Sequence, residues 1–179
     1  ELLMVIAIIG LLAGILIPSV GAVRKQANIA ASKSQLSSYV NAIQMFKGEY
    51  GYFPFSKAQS DGGATIPDIT EDKFTGALSA RTVDGKRITD SSDGNLDGNR
   101  RLIAFHSFSE SEFKDGDSST EKIADRFNNT NIFIAIDGDG DGKIEGLPKT
   151  GEIRASVTAY VLPPEDSGEG LKEPYYLYD

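Results

Sequence analysis

The stretch Asp137–Gly146 reads DGDGDGKIEG, and its alternating aspartates are the part of this chain best equipped for chemistry. Asp137, Asp139 and Asp141 fall at the first, third and fifth positions of a tight turn, and Gly142 at the sixth allows a sharp bend. Lys143 follows with a backbone carbonyl to offer, and Ile144 can anchor a short strand. Three close carboxylates repel one another unless a hard cation sits between them, so calcium (Ca2+) is the expected guest. The EF-hand pattern then fails, because its twelfth position is Pro148 and not a glutamate. A bidentate ligand would come from Glu145, from Glu152 or from elsewhere in the chain; the competing reading is an acidic turn that holds no cation. A weaker echo at Asp93, Asn95 and Asp97 is a candidate second metal site, with Arg100 where an apolar anchor is wanted and Arg101 adding positive charge.

The remaining polar features promise less. Cysteine is absent, which removes thiol chemistry, disulfide staples and cysteine zinc sites together. His106 is the sole histidine and reads as a structural residue, satisfied or exposed. Asn128–Thr130 matches a glycosylation acceptor by a three-residue pattern that is too common to weigh. Lys114–Ser119 reads as a turn. With no nucleophile–base set, phosphate loop or histidine cluster, nothing nominates a catalytic constellation, and the chain is not expected to be an enzyme.

Charge is split unevenly along the 179 residues. The first 60 carry five basic residues (Arg24, Lys25, Lys33, Lys47, Lys57) against Glu1 and Glu49, while the rest hold 24 acidic and 13 basic, a net of −11. Such acidity argues against a nucleic-acid surface.

Loop carboxylates need a scaffold, and the chain announces its largest element first. From Leu2 to Val23 there are 22 uncharged, mostly aliphatic residues, which as a helix rise about 33 Å, close to the roughly 30 Å of a bilayer's hydrocarbon core. A secretory signal would have a shorter apolar region, about 7–15 residues, and a buried core helix would show one polar face. The segment that follows has no proline or glycine before Gly48, and its larger apolar residues are Leu36, Tyr39, Val40, Ile43, Phe46 and Tyr50, the three-to-four spacing of one helix face. Gly51 suits a left-handed helix end, and Pro54 forbids quick resumption. One helix from Glu1 to about Tyr50 is predicted. Gly10, Gly14 and Pro18 are its weak points, so a break between Gly10 and Pro18 is expected.

A glutamate heading LLMVIAIIGLLAGILIP, with Gly10 and Pro18 at their distances from it, closely resembles the N-terminus of type IV pilins and type II secretion pseudopilins. The segment AIQMFKGEYGYFP is similar to the end of the pseudopilin helix. The likeness covers residues 1–54 and is most specific over the first twenty. It implies a mature chain that begins four residues before Glu1 with an N-methylated phenylalanine, behind a basic leader removed by prepilin peptidase. It implies that Glu1 pairs with the N-terminal amine of a neighbouring subunit, so that an acid costly to bury alone is stabilised only in the correct register. It further implies a helical homopolymer raised from the inner membrane by the pilus assembly machinery to the cell surface, its stems inside and its acidic heads outside. Local unwinding between Gly10 and Pro18 would let the filament stretch. Calcium in a head loop also fits the family.

Beyond residue 54 the expected strands are Arg101–Phe108, Asn131–Ile136, Glu152–Leu162 and the terminal Pro174–Asp179. Residues 56–72 and 84–99, rich in glycine, serine and aspartate, read as long loops. The fold class is therefore α+β: a long helix, apolar then amphipathic, packed through Leu36–Tyr50 on a small antiparallel β-sheet head. The divisions are 1–24 for the membrane and filament-core helix, 25–51 for the amphipathic half and 52–179 for the head. Three functions compete: a structural pilin, a pseudopilin forming a short periplasmic filament, and an enzyme or solute-binding domain on a membrane anchor. A head larger and loopier than a minimal pseudopilin's favours the first.

Overall fold

The computed structural model describes residues 2–164 and 173–178, with the side chains of residues 16–19 left out. Helix α1 spans Leu2–Tyr50, 49 residues or about 74 Å. Its two halves live in different surroundings. Leu2, Leu3, Ile9, Leu11 and Val23 stand exposed on the first half, whereas Leu36, Tyr39, Ala42, Ile43 and Phe46 are fully buried on the second. The buried row follows the spacing read from the sequence. The helix ends as expected: Gly51 takes φ +80°, and its N–H donates to the Lys47 carbonyl at 2.8 Å.

The expected break is not there. Helix runs without interruption across Gly10, Gly14 and Pro18. Each of these residues weakens a helix, yet each has access to helical φ; proline is locked near it. Breaking the rod would orphan up to four donors and four acceptors, more than Pro18 forfeits by lacking one N–H.

Four short strands form one antiparallel sheet in the order β1-β2-β5-β6, with β1 at Ala64–Thr65, β2 at Ile132–Ile136, β5 at Val157–Val161 and β6 at Tyr175–Tyr176. Strand β2 lies in the middle and pairs along its whole length with β5, Ile134 opposite Ala159. Alternation sorts its side chains. Ile132, Ile134 and Ile136 join the core under α1, together with Val157, Ala159 and Val161, while Ala135 faces the other way with Tyr160 and Tyr176. That second face is covered by a hairpin of β3 (Ile144–Leu147) and β4 (Gly151–Ile153), through Ile144 and Leu147. A strand covered on both faces must be apolar throughout, which explains IFIAI.

Three sequence expectations need correction. Arg101–Phe108 is not a strand: Leu102 takes φ +55°, and the N–H groups of Phe105 and His106 both donate to the Leu78 carbonyl, at 2.8 and 2.9 Å. Glu152–Leu162 is two strands with a bend at Arg154–Ser156, so β4 serves the covering hairpin and β5 the main sheet. Residues 56–72 are structured and not a long loop. They hold β1, the single turn α2 (Ile66–Ile69) and the start of α3 (Glu71–Ser79). The Thr65 hydroxyl accepts from the Asp68 N–H at 3.1 Å while the Asp68 carboxylate accepts from the Thr65 N–H at 3.3 Å, a reciprocal cap with Pro67 in the first turn. Residues 84–99 stay largely irregular, with a single 3₁₀ turn at Gly94–Leu96.

Candidate metal loop and assembly helix

The loop leaving β2 folds on its own side chains. Asp137, only 6 % exposed, accepts the Gly140 N–H at 2.7 Å on one carboxylate oxygen and the Gly142 N–H at 2.9 Å on the other. Asp139 accepts from the Asp141 N–H at 3.3 Å, and Asp141 from the Lys143 N–H at 2.8 Å. Burial alone would raise the Asp137 carboxyl, but the two glycine N–H groups outweigh it and hold the acid below its usual range. It is therefore a carboxylate at neutral pH. One oxygen from each of Asp137, Asp139 and Asp141 lies within 4.8 Å of the others. Oxygens that share a calcium at about 2.3–2.6 Å stand no more than about 5 Å apart, so this donor set fits that ion.

Several neighbouring groups have partners of their own. Lys143 sends its ammonium to Glu152 at 3.7 Å. The Glu145 carbonyl is taken by the Gly62 N–H at 2.8 Å, and its side chain is exposed. The Pro148 carbonyl accepts the Tyr178 hydroxyl at 3.0 Å. What lies beside the loop is an upstream segment: Gln59, Ser60 and Asp61 share a cavity of about 140 Å³ with Asp139, Asp141 and Glu145. The approach is close enough that a Cβ at residue 138 would collide with the Gln59 carbonyl, so this position requires glycine. The turn residues Asp61-Gly62-Gly63 were visible in the sequence, but nothing local said which loop they would meet.

At the weaker motif, Asp93 accepts the Asn95 N–H at 2.9 Å and Asp97 accepts the Phe55 N–H at 2.6 Å. Both acids thus serve the backbone, and Arg100 lines the same depression. Asn128 is likewise engaged, its amide nitrogen donating to Asp115 at 2.8 Å.

His106 belongs to a buried polar network that sequence reasoning did not assemble. Its Nε2 meets Glu112 at 2.9 Å, and the same carboxylate accepts the Tyr39 hydroxyl at 2.8 Å and the Ser109 N–H at 2.9 Å. Burial pushes the Glu112 carboxyl up, yet the hydrogen bonds from His106 and Ser109 bring it below its ordinary value. Tyr39 is pushed the other way, well above the usual phenol range, by burial and by the Glu112 charge. Asn99 is a second hidden hub: wholly buried, it donates to the Ala77 and Ile103 carbonyls at 2.9 and 2.7 Å and accepts the Tyr50 hydroxyl at 2.8 Å. It binds the end of α1 to the segment after α3.

Of the residues expected to serve assembly, Gly10 and Gly14 sit on the bare half of α1, where an added Cβ would meet nothing within 4 Å. Pro18 continues the helix, its side chain outside the described residues, and Glu1 lies outside them altogether. The most apolar 18-residue window of α1 is long enough to cross a membrane and is 0 % buried. Below the head, Lys25 pairs with Glu173 at 3.2 Å.

Together these features define an α+β protein in which one apolar helix continues into the core of a small sheet structure. No family model matches the chain, and neither a curated protein nor a solved structure matches it.

Proposed function

We propose that this chain is the structural subunit of a type IV pilus-like helical filament, anchored in the inner membrane before assembly and displayed at the cell surface afterwards. The observation that carries the reading is the contrast within α1. Its second half is buried in the protein's own core, while the first half presents large apolar side chains with nothing beneath them. Lipid can cover that surface, and so can the same helix of other copies, at about 25 cal/mol per Å² of apolar area buried. Contacts that repeat without closing a ring give a filament. The resemblance of residues 1–54 supports this occupant over a solitary anchor. In the head, the Asp137–Asp141 loop would hold calcium and stiffen the segments that meet there.

Electron microscopy of the full chain after detergent removal tests the polymer. Filaments are expected, and Glu1→Ala should abolish them; a dispersed monomer, or filaments unchanged by that substitution, overturns the reading. Long filaments shed from cells support a pilus, whereas short ones confined to the periplasm would make the protein a pseudopilin. Calcium is tested separately on the thermal midpoint of the head in detergent. At a hundredfold excess over Kd it should add about 2.7 kcal/mol of stability, an increment that Asp139→Asn with Asp141→Asn removes.

A further inference from the structure

A cavity of about 440 Å³ opens between the end of α3, the turn at residues 82–85 and the segment 104–118. Its size falls within the range of roughly 300–1,000 Å³ typical of small-molecule sites. Two acids line it, and each is matched by its own neighbours. Asp84 pairs with Lys86 at 2.6 Å, and Glu110 accepts the N–H and hydroxyl of Ser118 at 2.7 and 3.0 Å. Two other groups are not used up. Arg81 donates once, to the Gly85 carbonyl at 2.8 Å, and has no ion-pair partner among the described residues. His106 is held by Glu112, which as a carboxylate can only accept, so Nε2 carries a hydrogen, and in the neutral ring Nδ1 offers a lone pair. No hydrogen bond reaches Nδ1 from the described residues. The ring is fixed edge-on against Tyr39 and Phe108, at centroid distances of 5.2 and 4.6 Å. Val83, Phe108 and Phe113 complete the wall with apolar surface.

We propose that this cavity binds a small hydroxylated organic acid. The carboxylate pairs with Arg81, the hydroxyl donates to His106 Nδ1, and the apolar body lies against Val83, Phe108 and Phe113. This site is independent of calcium and of assembly, since it uses none of their residues. Arg81 and the His106 ring supply the two polar contacts that fix the ligand's orientation, as convergent polar groups do in apolar-walled sites.

Mandelate is a suitable probe, with phenylacetate lacking its hydroxyl and mandelamide lacking its charge. Titrated by NMR into the full chain in non-ionic detergent at pH 8, mandelate should shift the His106 ring resonances saturably. Phenylacetate should bind several-fold more weakly and mandelamide about tenfold more weakly. Arg81→Gln, at an exposed position, should cost mandelate about tenfold, and Val83→Arg should fill the site and abolish binding with the far-ultraviolet dichroism unchanged. If the His106 shifts fail to saturate by about 20 mM, or if Arg81→Gln leaves mandelate affinity as it was, the proposal is overturned.

Discussion

Glu112 shows how much one buried acid can organise, because its carboxylate is the meeting point of α1, His106 and the Ser109 turn. Its folded pKa lies below the ordinary glutamate value, so the folded state favours the ionised form. The stability this contributes is fully present above the unfolded pKa of about 4.3 and is lost as pH falls through the lower folded value. Glu112→Gln should therefore lower the thermal midpoint of the head at pH 7, and the gap to the native protein should narrow below about pH 4. Circular dichroism across that range checks it; a gap that stays constant into acid would show that the charge contributes nothing.

Among the elements, α2 is the one whose existence rests on a cap. Four residues cannot sustain a helix by propagation, and Thr65 with Asp68 supplies both of the reciprocal bonds. Thr65→Ala should destabilise the head by about 1 kcal/mol in chemical denaturation and raise amide exchange over residues 65–69 first. The capping pattern Thr65-x-x-Asp68 was there to be read in the sequence, hidden by the surrounding glycines and serines. Helix α1 was legible because its period persists for many turns, and β2 because an all-apolar run followed by aspartates has few other uses. Arg101–Phe108 misled for a reason outside itself. The Phe105 and His106 N–H groups are taken by the Leu78 carbonyl at the end of α3, so this apolar run packs on the core as irregular chain through Phe105 and Phe108. The aspartate loop was readable as a donor set. Its contact with Gln59–Asp61 was not, because that pairing follows from how β1 docks on β2.

At the scale of the whole molecule, charge and greasiness are segregated along one axis. The first 60 residues carry +3 and the remainder −11, so a filament would crowd acidic heads around an apolar core. Screening should ease that crowding. Raising sodium chloride from about 10 mM to about 150 mM shrinks the Debye length from roughly 30 to 8 Å and should increase the sedimentable fraction after detergent removal. A fraction that falls with salt would mean that attraction between unlike charges, and not head repulsion, controls assembly. The unbroken course of α1 has a mechanical consequence as well. Tension applied to its exposed apolar end has no slack to take up before it reaches Leu36, Tyr39 and Phe46, the side chains on which the sheet is folded. Handle and body are one rod, and a tug on the first is a load on the second.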